Sequence, residues 1–171
     1  GQCKNCGEWN TLVGERVEKR ASRYDVIGSG KQKISNITEV EAGNEQRLKT
    51  ISEELNRVLG GGIVLGSVIL IGGEPGIGKS TLLLQLALKM KKKILYVSGE
   101  ESASQIKMRA DRLTDIQNPH CFLYTETSVE KILKEAKNLQ PDVMIVDSIQ
   151  TLQSQLIESS PGTISQIREC S

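Results

Sequence analysis

The densest chemical signal in the chain is Gly73-Glu74-Pro75-Gly76-Ile77-Gly78-Lys79-Ser80, which fits G-x-x-x-x-G-K-[ST] at every defined position. Glycines in such a loop let backbone N–H groups turn toward one point, and a helix start behind them adds a positive dipole end, so the loop suits phosphate oxygens. Lys79 is then placed for the β- and γ-phosphates of a nucleoside triphosphate, and the Ser80 hydroxyl for Mg²⁺. Thr81 adds a hydroxyl that either approaches the α-phosphate or serves only the helix. The bland alternative is a glycine-rich strand-to-helix turn that binds nothing.

Two carboxylate positions complete the chemistry. In Val143-Met144-Ile145-Val146-Asp147 an apolar run ends in an acid, which puts Asp147 at the carboxyl end of a buried strand, where a metal beside the phosphates must be held. Ser98-Gly99-Glu100-Glu101 places two acids directly after another such run; Glu100 is the better candidate for orienting or deprotonating a water, and Glu101 the weaker. Alone, Asp147 reads more readily as a turn or cap residue than as a metal ligand, and the two glutamates also read as acids favouring the next helix start. A separate signal is Cys3-Lys4-Asn5-Cys6-Gly7, with the C-x₂-C spacing of a zinc knuckle. A closed zinc site needs four ligands, and neither a second such pair nor a histidine pair is in the sequence.

These side chains need a scaffold that brings strand ends together. Ser67–Ile71, Ile94–Val97, Cys121–Tyr124 and Val143–Val146 are short, rich in β-branched or aromatic residues, and suit strands covered on both faces. Between them, Leu82, Leu83, Leu86, Ala87 and Met90 form one helical stripe, and Val129, Ile132, Leu133, Ala136 and Leu139 another; Ile106, Ala110 and Leu113 mark a weaker helix over 102–113. The alternation predicts an α/β domain with a mostly parallel sheet flanked by helices, over residues 48–171. Residues 14–47 mix Gly, Ser, Lys, Glu and Asn and read as a linker, with Ile34, Ile37 and Val40 as a weak candidate edge strand.

Of 171 residues, 37% are hydrophobic and only 3% aromatic, so aliphatic side chains must fill the core, and the length allows one full domain with a small appendage. A net charge of +1 leaves any nucleic-acid binding to a local patch. Lys89, Lys91, Lys92 and Lys93 form a basic run that reads first as solvated charge at a helix end, and His120 as a loop residue. The sequence has neither an apolar run long enough to cross a bilayer nor a secretory start, which points to a cytoplasmic protein without a membrane partner. In that reducing setting Cys121 is expected as a buried small hydrophobe.

Taken together, the motifs resemble the RadA (Sms) family of bacterial RecA-like ATPases. The resemblance rests on 3–12, on Arg57-Val58-Leu59-Gly60-Gly61-Gly62, on Gly72 through Leu84, on Tyr96 through Ser102, on Val146 through Leu152, and on Gln166-Ile167-Arg168-Glu169-Cys170. It implies a RecA-like P-loop fold with ATP and Mg²⁺ as cofactors, and Lys79, Glu100 and Asp147 as catalytic residues. It further implies a hexameric ring that binds single-stranded DNA, works with a RecA-type recombinase filament, and promotes branch migration of recombination intermediates in DNA repair. In that family a finger with two C-x₂-C pairs binds Zn²⁺; here residues 1–13 match the second pair, so Cys3 and Cys6 are half of the expected ligand set. The family's Lys-Asn-Arg-Phe-Gly motif and Lon-protease-like domain would follow beyond Ser171. Gln153–Gly162 occupies the place of a DNA-contacting loop, though it contains no lysine or arginine. Two alternatives share the loop: a KaiC-like assembly regulator indifferent to DNA, and a small-molecule kinase, which the Gly-Glu-Glu segment fits less well.

Overall fold

The computed structural model describes residues 36–39, 46–113, 118–157 and 159–171. The chain divides into two units, Gly1–Gly43 and Asn44–Ser171. The expected zinc ligands Cys3 and Cys6, and most of the expected linker, lie outside the described residues. In the first unit, Ile37–Glu39 forms a 3-10 turn in which Ile37 is exposed, so the candidate edge strand is absent at that position. The Asn36 side chain, accepting from the backbone N–H and hydroxyl of Thr38, favours the local turn over a ladder.

The second unit opens with an antiparallel ribbon, β1 (Arg47–Leu48) and β2 (Ile63–Val64), joined through helix α1 (Glu53–Val58). Ser52 caps α1 by accepting from Leu55 N–H. There follow α2 (Lys79–Lys89), β3 (Ile94–Ser98), α3 (Ala103–Leu113), β4 (Cys121–Thr125), α4 (Val129–Leu139), β5 (Val143–Asp147) and α5 (Ile164–Cys170). Strands β3, β4 and β5 form a parallel sheet in the order β4-β3-β5. The predicted α/β alternation is therefore present, with helices between parallel strands as that geometry requires.

Central strand β3 is buried along its whole length, and its alternation splits the core in two. Ile94 and Tyr96 pack with Leu84, Leu88, Ile106, Ala110 and Ile145 under α2 and α3. Leu95 and Val97 pack with Ile132 and Leu152 on the α4 side. Each such aliphatic side chain contributes about 1.5–3 kcal/mol by leaving water, which makes β3 the anchor of the sheet.

Several expectations fail in instructive ways. Ser67–Ile71 joins no ladder among the described residues, and Val68 and Leu70 are 92% and 83% exposed. Covering on both faces holds for β3 alone, because Phe122, Leu123 and Met144 on the flanking strands are exposed. On α2 the buried side is Leu84, Leu86, Ala87 and Leu88, with Met90 buried just past its end, whereas Leu82 is exposed: the helix packs on α3 as well as on β3 and β5 and buries a wider arc than one stripe. On α4, Leu133 is exposed while Val129, Ile132, Ala136 and Leu139 face the sheet. Cys121 is half-buried at the sheet edge, and burial pushes its thiol pKa up, which keeps it protonated.

Candidate nucleotide site at the strand ends

Because β3 and β5 are parallel and in register from Ile94↔Val143 to Ser98↔Asp147, their carboxyl ends finish level. That places Gly99, Glu100 and Asp147 at one edge of the sheet. The α2 N-terminus reaches the same edge: Ser80 Oγ donates to Asp147 Oδ1 at 3.0 Å, joining residues 67 positions apart. The expected phosphate loop and the expected metal carboxylate thus meet.

The loop has the backbone that its glycines predict. Gly76 and Gly78 have φ of +80° and +102°, a region costly for other residues, and a Cβ at either would meet nothing within 4 Å. Glycine is needed there for conformation, and the loop surface stays open. Ser52 and Ser128 cap α1 and α4 with their hydroxyls, and both helices carry acids in the first turn. In contrast, α2 starts on Gly78, which has no side chain to offer, and its first turn holds no acid. Its N-terminal N–H groups are left for an external acceptor, the arrangement that favours an anion. Lys79 Nζ donates to the carbonyl oxygens of Gly73 and Glu74 at 2.7 and 2.8 Å, so its charge is held over the loop. Glu74, Pro75 and Ile77 are exposed on the loop, and Thr81 sits partly buried in the first turn of α2.

The structure separates the two adjacent glutamates. Glu101 is engaged by Arg109 of α3 through both carboxylate oxygens, at 3.0 and 2.7 Å, and is committed to holding that helix. Glu100 is exposed, and its Oε1 accepts from Ser148 Oγ at 2.8 Å. Tyr96 adds a contact from below: its hydroxyl donates to Asp147 Oδ2 at 2.8 Å. Burial first, then the hydrogen bond and charge of Asp147, push the phenol pKa above its usual range, so it stays a donor. Asp147 is held on both oxygens, and Glu100 on one. Ser80 and Asp147 together are a pair of hard oxygen ligands of the kind Mg²⁺ takes, and the uncapped helix start fits a phosphate. Among the described residues no cluster of three or more His, Cys, Asp or Glu is placed to hold a metal ion.

Ser148, Tyr96, Arg109 and Thr151 are absent from the expected site. Ser148 was findable as a hydroxyl directly after the strand-end acid. Tyr96, inside an apolar run, reads as core until the register shows which residue its tip reaches. Thr151 packs so closely that a Cβ on Gly99 would sit 2.8 Å from Thr151 Cβ.

Beyond β5 the chain turns through a 3-10 segment, Ile149–Thr151, into the expected loop. Buried Gln166 of α5 accepts from Ser154 N–H and donates to the carbonyls of Ser154, Ile157 and Ser159. Beside it is an open cavity of about 460 Å³, lined by Ser128, Gln153, Ser154, Gln155, Ile157, Ser159, Ser160 and Gln166. Its lining is uncharged: serines and glutamines with Ile157 among them. Of the basic run, Lys91 and Lys92 are exposed, while Lys93 Nζ donates to Leu139 O at the end of α4; His120 lies in an exposed turn. No helix among the described residues is long and apolar enough to cross a membrane.

A family model described as "ATPase: KaiC" matches residues 48–119, which include the phosphate loop and β3. The chain is 48% identical to the DNA repair protein RadA of Halalkalibacterium halodurans and 48% identical to that of Bacillus subtilis; each alignment covers 99% of this chain and 38% of the relative. Identity to the DNA repair protein RadA of Listeria monocytogenes is 44% over the same shares. The chain therefore spans little more than a third of the length of the curated relatives it matches. The fold is the α/β arrangement of a RecA-like ATPase, and the chain belongs to the RadA family.

Proposed function

We propose that the Asn44–Ser171 unit is the Mg²⁺-dependent ATP-hydrolysing core of a DNA repair protein that binds single-stranded DNA and promotes branch migration of recombination intermediates. The observation that carries the reading is the meeting of Ser80 and Asp147 at 3.0 Å beside the uncapped start of α2. In this reading the backbone of 73–80, Lys79 and Thr81 hold the triphosphate, and Ser80 and Asp147 hold Mg²⁺. The bound cation supplies charge neutralisation on the phosphate oxygens. Glu100, kept at the strand end by Ser148, orients the attacking water and draws off its proton.

The loop 153–162 contributes hydroxyls and amides to DNA without adding positive charge, so phosphate neutralisation must come from elsewhere in the protein. Residues 1–13 are the second half of a zinc finger in which Cys3 and Cys6 supply two ligands, and 14–47 is a linker. The complete protein acts in the cytoplasm as a hexameric ring alongside a RecA-type filament. Single-stranded DNA binding that falls as salt rises, and ATP turnover that rises with single-stranded DNA, are the expected results for the complete protein. Turnover and assembly indifferent to DNA would sink the motor reading. They would favour the second one, a nucleotide-gated KaiC-like assembly module, which the family match over 48–119 supports.

A further inference from the structure

We propose that Tyr96 is a positioning residue for Asp147: its hydroxyl, 2.8 Å from Oδ2, fixes the carboxylate so that Oδ1 stays turned to Ser80. The inference rests on the Mg²⁺-nucleotide reading of the site and names what orients its metal carboxylate.

Tyr96 pairs with Ile145, so Asp147 is its diagonal neighbour on the same face of the sheet, a separation that a long aromatic side chain spans. At 1% exposure the ring is part of the core cluster with Ile94 and Ile145, a role that phenylalanine would fill equally. The hydroxyl is therefore not explained by packing. A buried phenol needs a partner, and the one it has is the far oxygen of the carboxylate whose near oxygen faces Ser80. A carboxylate gripped at one oxygen rotates about its last bond; gripped at both, it presents a fixed lone pair to the Ser80 side.

The test uses the full 171-residue chain and a fluorescent, non-hydrolysable ATP analogue, with affinity measured in EDTA and across a Mg²⁺ series. Tyr96→Phe should leave affinity in EDTA within about twofold and raise the Mg²⁺ midpoint about tenfold, the scale of one hydrogen bond to a charged group. In an Asp147→Asn background the same change should have no further effect on the midpoint. An unmoved midpoint, or an equal shift in the Asp147→Asn background, overturns the proposal while leaving the nucleotide site intact. Wild-type protein that binds no analogue overturns the nucleotide reading and this proposal with it. A readout that keeps the Tyr96 hydroxyl in place is the fluorine resonance of 3-fluorotyrosine in a chain with Tyr24→Phe and Tyr124→Phe, which leaves one label, at position 96. That resonance should move when Mg²⁺ is added to the analogue-bound chain; a fixed resonance contradicts the proposed coupling.

Discussion

Replacing Gly99 by alanine inserts one methyl group between the end of β3 and the turn after β5. An ideal Cβ there sits 2.8 Å from Thr151 Cβ and 3.0 Å from Thr127 Cγ2, with Thr151 Oγ1 closer still. Carbon atoms in contact settle about 3.5–4.0 Å apart, so relief asks for a shift of about 1 Å. Thr151 is poorly placed to give way, because its hydroxyl donates to Ser148 O at 2.8 Å and its backbone N–H points to the same oxygen. Overpacking of this kind costs about 1–3 kcal/mol, which urea denaturation would read as a lower midpoint at unchanged slope. Glu100 follows Gly99 directly and Ser148 is tied to Thr151, so the same shift pulls apart the 2.8 Å contact between Glu100 and Ser148. A displacement of that size lowers turnover about 100-fold. Nucleotide affinity, set by the loop 73–80 on α2, should stay within about twofold. Adding Thr151→Ala removes the nearest atom and should recover part of the lost stability. A Gly99→Ala chain with wild-type stability and turnover would refute the close approach as a constraint on the site.

Two further changes test other links. Ser148→Ala frees Glu100 from its donor without touching Ser80 or Asp147, so turnover should fall about tenfold while analogue affinity holds; a matching loss of affinity would place Ser148 in binding instead. Glu126 accepts from the backbone N–H groups of Ser128 and Thr127 and pairs with Lys131 at the start of α4, contacts that lower its carboxyl from 4.5 to about 2. A depressed carboxyl stabilises the fold fully above its unfolded value and loses that contribution as pH falls through the folded one. The stability gap between wild type and Glu126→Gln should therefore be full at pH 7 and close between about pH 4.5 and 2. A gap constant over that range would show that the charge of Glu126 is not what matters.

What the sequence made legible is local or periodic. The phosphate loop is written in adjacent residues, and the positive φ of Gly76 and Gly78 is a property of glycine itself. Strands β3, β4 and β5 were visible as β-branched runs bounded by polar turns. Ser67–Ile71 has the same composition but no ladder among the described residues, because strand formation depends on a partner that a run of five residues does not encode. The contacts of Tyr96 with Asp147 and of Ser148 with Glu100 cross 51 and 48 positions. They exist only once β3 and β5 are in register. Glu100 already ranked above Glu101 in the sequence, but the contact that occupies Glu101 comes from Arg109, which α3 carries back to the strand end.

The central claim, that residues 73–80 hold a triphosphate with Asp147 close by, is tested most directly by calorimetric titration of a non-hydrolysable ATP analogue with Mg²⁺ into wild type and Lys79→Ala. Lys79 lies over the loop through the carbonyls of Gly73 and Glu74, and its loss removes a charge-assisted contact. One-to-one binding by wild type, weakened tenfold or more in Lys79→Ala, is the expected result. Equal affinity in the two proteins, or no binding by wild type, would contradict the account.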